Sequence, residues 1–246
     1  MFFKIMAKRI IKKKTCPHRV IIPITPLANG DEYPYTMINI LTDKGFKKEW
    51  GDSISSINNL EQEIFELVDK YNIESDEEDD LRKIFHYIQI WAGYSAMHYY
   101  IDKEKPFDWD AIKDAYKALV KSCLSISELS EETYNSIGKA IREFMEKTKM
   151  TIPFITKHTR FWSSKKLKAN MLPIYDSNMA NVFGKKTVKQ EDLTDYWKWI
   201  VNKKTEKETL ANLERRLFEE ERSKRKSKDE EIKKQKKEAW KKYNEE

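Results

Sequence analysis

The chain has 246 residues, which is enough for a hydrophobic core that folds without disulfides, and it carries a net charge of +6. Charged residues make up 36% and apolar residues 39%, and no apolar run approaches the ~20 residues of a membrane span or a signal-like block, which argues against membrane-embedded and conventionally secreted proteins. Six glycines are too few for Gly-rich phosphate loops or many hairpins, which disfavours Rossmann, P-loop and all-β folds.

Residues 1–50 are predicted to be a basic arm followed by an extended segment. The first 30 residues contain seven bases and no acid, whereas residues 52–80 hold eleven acids against the single cation Lys70. The arm either pairs with this acidic region or contacts phosphates or an anionic membrane surface. Two β-branched runs, residues 20–24 and 36–40, lie on either side of a turn-prone Asn-Gly-Asp, which favours a small ribbon.

Residues 51–202 show helical spacing of apolar residues and predict an all-α array of about seven helices. The predicted helices, in chain order, are one at 57–71 capped by serines 53, 55 or 56, a central one from Asp79 or Asp80 to Tyr99, one after Asp108, one after Ser130, a short one at 161–169, one from Asp176 or Ser177, and one at 190–201.

Residues 203–246 are predicted to form a charged helix that projects from the body. The segment holds 16 bases and 12 acids, and apolar positions thin out after Phe218. Five acid-to-base pairs at i,i+4 spacing support a solvated helix with internal ion pairs rather than a coiled coil. Such a helix serves either as a solubilising extension or as a docking element for a protein partner.

One string of residues is typical of a chemical site. Residues 172–179 read Leu-Pro-Ile-Tyr-Asp-Ser-Asn-Met. This string resembles the active-site element of the helix-hairpin-helix DNA glycosylases, in which an apolar-Pro-apolar-apolar-Asp-Ser/Thr-Asn/His-apolar sequence places a catalytic aspartate at a helix N-terminus. In the same register, residues 152–159 fall where that family has its hairpin, although Phe154 and Thr156 replace the hairpin glycines.

The resemblance implies an all-α enzyme that extrudes a base from double- or single-stranded DNA and hydrolyses its N-glycosidic bond. Asp176 takes the place of the catalytic aspartate. The family's nucleophilic lysine aligns with His158 without a gap, with Lys157 after a one-residue slip, and with Lys165 or Lys166 if the connection is shortened. The mixed basic and aromatic residues of this region are predicted to contact DNA: His158, Arg160, Phe161, Trp162, Lys168 and Asn178.

Each of these residues also has a purely structural interpretation. An aspartate before a helix is commonly an N-cap, Phe161 and Trp162 suit a hydrophobic core, and the lysines suit a solvated helix face. The alternative function is therefore a non-catalytic helical module that binds nucleic acid or a protein. An enzyme requires Asp176 to face an open, partly apolar cavity, whereas a module requires only a cap.

The remaining candidates do not predict a metal site or a cofactor. His86 and His98 lie twelve residues apart on one predicted helix without a carboxylate ligand pattern. Cys123 lies on an apolar helix face and Cys16 is 107 positions away, so neither a disulfide framework nor a paired ligand motif is indicated. This use of cysteine predicts a reducing, cytoplasmic location.

Overall fold

The computed structural model describes residues 46–51, 57–75, 77–93 and 107–245. Within these ranges the chain forms nine α-helices and two short 3-10 helices and no strand, which confirms the predicted all-α class. The predicted basic arm, the extended ribbon and the serine caps at 53, 55 and 56 lie outside the described residues. No helix in the described part is both long enough and apolar enough to cross a bilayer.

The nine helices follow one another as α1 (Lys48–Gly51), α2 (Ile57–Lys70), α3 (Glu78–Ala92), α4 (Trp109–Leu124), α5 (Glu131–Thr148), α6 (Ile152–Leu167), α7 (Ser177–Val182), α8 (Leu193–Lys203) and α9 (Leu210–Glu245). The 3-10 helices are Lys168–Asn170 and Gln190–Asp192.

Local capping signals explain where several of these helices begin. Asp108 accepts a hydrogen bond from the amide of Asp110 at 3.0 Å and so caps α4. Ser130 caps α5 by accepting from the amide of Thr133 at 3.3 Å. Both starts were predicted from the sequence and are confirmed, because a capping side chain satisfies amides that have no partner inside the helix.

The short helix predicted at 161–169 is wrong, since α6 begins nine residues earlier at Ile152. Pro153 lies in its first turn, where the missing amide hydrogen costs no helical hydrogen bond. Residues 152–159, the predicted hairpin region, are therefore the first two turns of a helix. Without the hairpin glycines, nothing in this segment favours the tight reversal that a hairpin requires.

The core is built around α6, which packs against α2, α3 and α4. All seven residues from His158 to Ser164 are buried. The sequence predicts one central helix, α3. In the structure α6 is central as well, although its apolar residues do not line up along one face of the helix. Polar residues such as Thr156 and Ser163 are accommodated in the core because their hydroxyls accept or donate hydrogen bonds there.

The predicted projecting tail also needs correction, because the first turns of α9 belong to the body. Leu210, Leu213 and Glu214 are buried. Further along, the guanidinium of Arg225 donates to the carbonyl of Ser177 at 2.7 Å. The helix therefore packs on the core for about four turns, and the predicted boundary near residue 203 does not separate two independent parts.

Candidate functional site

A cavity of about 370 Å³ lies between α6, α7 and α9, with contributions from α2 and α3. Its volume falls within the roughly 300–1,000 Å³ that is typical of ligand pockets. The apolar part of its wall is formed by Trp91, Ile174, Met179 and Phe218. The charged part contains four cations and four carboxylates, namely Lys157, Arg160, Arg215 and Arg222 with Glu61, Asp176, Glu214 and Glu219.

Lys157 lies in the second turn of α6 and brings a primary amine to this cavity. Its side chain is half-buried, and its Nζ donates to the carbonyl of Ala92 at 3.2 Å and lies 4.9 Å from the centre of the Phe154 ring. Burial lowers the pKa of the Lys157 ammonium, and the Asp176 carboxylate opposes that fall. A larger share of the Lys157 amine is therefore neutral than in a solvent-exposed lysine, and the neutral amine is the form that attacks carbon.

Asp176 faces the same cavity and caps α7. Its Oδ1 accepts from the amides of Asn178 at 2.9 Å and Met179 at 3.0 Å. No hydrogen bond from the described residues reaches its Oδ2. The capping interpretation is therefore correct, but one oxygen satisfies the cap and the other leaves the carboxylate available to the cavity.

Lys157 and Asp176 thus lie on one cavity although 19 positions separate them in the chain. They form no ion pair within 4.0 Å of each other. Of the lysines considered from the sequence, Lys157 is the one that lines this cavity.

The segment that carries Asp176, the aspartate loop of residues 171–176, is held by side chains rather than by regular structure. Five of its backbone groups are hydrogen-bonded to side chains of α6, α8 and α9. The bonds are Leu172 N to Ser163 Oγ at 2.9 Å, Trp197 Nε1 to Pro173 O at 3.0 Å, Ile174 N to Glu214 Oε1 at 2.6 Å, Tyr196 OH to Ile174 O at 2.8 Å and Tyr175 N to Thr156 Oγ1 at 3.1 Å.

Arg160 and Glu214 form a buried ion pair between α6 and α9. Burial raises the pKa of the Glu214 carboxyl, and the Arg160 guanidinium counteracts this rise. Because Glu214 also accepts from the amide of Ile174, it ties the aspartate loop to both helices. Arg160, predicted to contact DNA, is only 7% exposed and its guanidinium is already paired with Glu214, so it lines the cavity without a free charge to offer a phosphate.

Three further residues predicted to contact DNA are fully buried. His158 has its two ring nitrogens 2.8 Å from Gln89 Nε2 and 2.9 Å from the Tyr116 hydroxyl. Trp162 donates to the same hydroxyl at 2.8 Å. Phe161 packs against Phe65 and Trp91. All three predictions of DNA contact are corrected, because these side chains have no surface for a ligand to reach.

The remaining predicted residues lie at two places. Asn178 is half-buried in the first turn of α7, beside Asp176. Lys165 and Lys166 lie in the last turn of α6 and Lys168 begins the 3-10 helix that follows. None of the three lines the cavity. Lys165 donates to the carbonyl of Asp69 at 2.9 Å, and Lys168 forms an ion pair with the Asp69 carboxylate at 3.2 Å. The structure thus separates these three lysines from Asp176.

The walls that α9 and Trp91 give to the cavity were not among the predicted site residues. A signal for α9 was present, because Leu210, Leu213, Leu217 and Phe218 follow the i, i+3, i+7, i+8 spacing of a helix face that packs on a core. For Trp91 no local signal exists, since a tryptophan on an apolar helix is ordinarily a core residue.

Replacing Thr156 with valine is expected to destabilise the protein by about 1–3 kcal/mol, because the buried amide of Tyr175 loses its hydrogen-bond acceptor while the volume stays the same. The free energy of unfolding in urea measures the effect. The matched control is Thr205→Val at an exposed position, which should leave that free energy nearly unchanged. Equal stabilities of the two variants would show that the hydroxyl does not hold the loop.

Among the described residues, no group of three or more histidine, cysteine, aspartate or glutamate side chains could hold a metal ion. Comparisons with protein-family models, with curated proteins and with solved structures find no match to this chain.

Proposed function

We propose that the chain is a DNA N-glycosylase in which Lys157 attacks the sugar and Asp176 assists. The observation that carries the proposal is the placement of a half-buried lysine amine and a partly unsatisfied carboxylate on one partly apolar cavity. The proposal includes a cytoplasmic location, where the chain would meet DNA.

The proposed reaction begins with attack of the neutral Lys157 amine on C1′ of an extruded nucleotide. The new N–C1′ bond forms as the glycosidic bond breaks. The electron pair of the glycosidic bond leaves with the base, and the base takes up a proton. The attacking nitrogen then loses one proton to solvent. Its lone pair forms the C1′=N double bond as the C1′–O4′ bond of the sugar ring breaks, O4′ takes up a proton, and water hydrolyses the resulting Schiff base. The amine must be neutral to react, which the lowered pKa of Lys157 favours.

Asp176 has a separate part in this scheme. Positive charge develops on the sugar as the glycosidic bond breaks, and a fixed carboxylate nearby stabilises that charge. The aspartate loop holds the carboxylate in place before the substrate arrives, because its backbone groups are already hydrogen-bonded. Little reorganisation is then needed during the reaction.

The apolar wall suits the base itself. Trp91 and Phe218 supply flat apolar groups, and an extruded base is commonly stacked between aromatic or apolar side chains. Glu61 lies on the same wall, half-buried, and can accept hydrogen bonds from N–H groups of a base.

The resemblance to the helix-hairpin-helix glycosylases supports the proposed roles of Lys157 and Asp176 only. The residues around Asp176 match the family's string, and Lys157 is the candidate lysine that lines the same cavity as Asp176. The hairpin does not match, because residues 152–159 are helical. A DNA anchor of that kind is thus missing from this segment.

Borohydride trapping tests the proposal. The full chain is incubated with duplex and single-stranded DNA carrying a panel of damaged and modified bases, and borohydride should reduce the Schiff base to a stable protein–DNA adduct. We expect an adduct and a released base with the natural chain, and neither with Lys157→Ala. Lys166→Ala, an exposed lysine on the same helix, is the matched control and should behave as the natural chain does.

Two results would contradict the proposal. Base release without any trapped adduct would remove Lys157 as the nucleophile. DNA binding without base release from a broad panel would favour the alternative, a helical nucleic-acid-binding module that lacks catalysis.

A further inference from the structure

We infer that Arg215, Arg222 and Lys226 of α9 form a phosphate-binding stripe that holds the DNA backbone at the cavity. This inference rests on the proposed function and names a part of the chain that takes the place of the hairpin that residues 152–159 do not form. The occupant is the sugar-phosphate backbone next to the extruded nucleotide.

The spacing of these residues places them on one helix face. Positions 215, 222 and 226 are separated by seven and four residues, so all three project from the same side of α9. The stripe extends roughly 16 Å along the helix axis at 1.5 Å per residue. Since phosphates of one strand of B-form DNA are spaced about 3.4 Å along its axis, the stripe spans about five nucleotide steps.

The charges of the stripe are available to a ligand. All three side chains are exposed, and none forms an ion pair with another described residue. The neighbouring Arg216 differs, because it pairs with Glu208 at 3.1 Å and with Glu220 at 3.3 Å. An unpaired cation can bind a phosphate without first giving up an internal partner.

The stripe is continuous with the cavity and its charge is net positive. Arg215 and Arg222 themselves line the cavity. Glu219 lies on the same face and also lines the cavity, which leaves the stripe with a net charge of +2. A nucleotide whose base enters the cavity keeps its phosphates at the cavity mouth, where these arginines lie.

The stripe is also fixed relative to Asp176. Arg225 donates to the Ser177 carbonyl at 2.7 Å, and Asn181 donates to Glu221 at 3.2 Å, so α9 is bonded to both ends of α7. The buried pair of Arg160 and Glu214 anchors the preceding turns. A phosphate bound on the stripe is thereby positioned with respect to the carboxylate that assists the reaction.

The salt dependence of DNA binding tests this inference. We compare Asp176→Asn, which should bind DNA without turnover, with the same chain carrying Arg215→Ala, Arg222→Ala and Lys226→Ala. Fluorescence anisotropy with labelled duplex and single-stranded DNA is recorded between 50 and 200 mM salt. Each lost phosphate contact lowers the slope of log K against log salt by about 0.9 on duplex DNA, so we expect the triple change to lower it by about 2.7.

Arg216→Ala in the same background is the matched control and should keep the slope, because Arg216 is already paired. An unchanged slope in the triple variant, or no DNA binding at low salt, would overturn the inference. The two proposals can fail separately. If the triple variant has a lower salt slope but the natural chain releases no base, the stripe is retained and the glycosylase is rejected. If the natural chain releases base but the triple variant keeps its salt slope, the glycosylase is retained and the stripe is rejected.

Discussion

Replacing Asp176 with asparagine is expected to reduce base release by about 100- to 10,000-fold, the range commonly lost with a positioned catalytic group. The amide removes the negative charge that faces the cavity. It keeps the size of the side chain and an oxygen that can accept from the amides of Asn178 and Met179, so α7 should remain capped. The rate of base release under single-turnover conditions measures the loss.

The chain supplies a close control for this substitution. Asp108 caps α4 through the same kind of hydrogen bond to the amide of Asp110, and it does not line the cavity. Asp108→Asn should therefore leave base release unchanged, and both variants should unfold at nearly the same urea concentration as the natural chain. If Asp176→Asn releases base as fast as Asp108→Asn does, Asp176 has no part in the mechanism beyond its cap.

Lowering the pH from 7 to 5 is expected to destabilise the fold by about 4 kcal/mol through two buried histidines. Burial lowers the pKa of His86 and of His158 from 6.5 to about 3, with Arg82 adding to the effect at His86 and Lys157 at His158. Between these values the unfolded chain binds protons that the folded chain does not. Their contribution is complete above about pH 6.5 and is lost as the pH falls, by about 2 kcal/mol for each histidine at pH 5.

Urea unfolding at pH 7 and pH 5 measures this dependence. In His158→Gln, the difference between the two pH values should shrink by about 2 kcal/mol, whatever the stability of the variant at pH 7. His86→Phe, at a site surrounded by Phe46, Trp50, Phe85 and Phe107, provides an independent variant with the same expectation. A pH dependence that is unaltered in both variants would show that the buried rings do not cause it.

The parts of the structure that the sequence predicted correctly are those that depend on local chemistry. Asp108, Ser130 and Asp176 each begin a helix, and a cap is decided within four residues of chain. The string around Asp176 also gave Lys157 as one of several candidate lysines. The structure places Lys157 on the same cavity as Asp176, and its role as a nucleophile stays a prediction. The choice among those lysines could not be made from the sequence, because it depends on where the two ends of α6 lie relative to α7.

The failed predictions concern burial, which depends on residues far away in the chain. The sequence predicts a basic and aromatic DNA surface that includes His158, Phe161 and Trp162, yet α2, α3 and α4 enclose this part of α6. Its polar residues concealed that position, since a helix with no apolar stripe does not look like a core helix. The charge-rich composition of residues 203–246 likewise concealed the apolar face at the start of α9.

The aspartate loop has no regular secondary structure, yet its opening is coupled to that of the helices. Its backbone is hydrogen-bonded to side chains from α6, α8 and α9, so it cannot detach while these helices stay packed. Local opening of such a segment requires the free energy of a larger cooperative unit. Amides of Leu172, Ile174 and Tyr175 should then exchange with deuterium as slowly as those of the helices, and a ligand would reach the cavity through its existing mouth rather than through a moving loop.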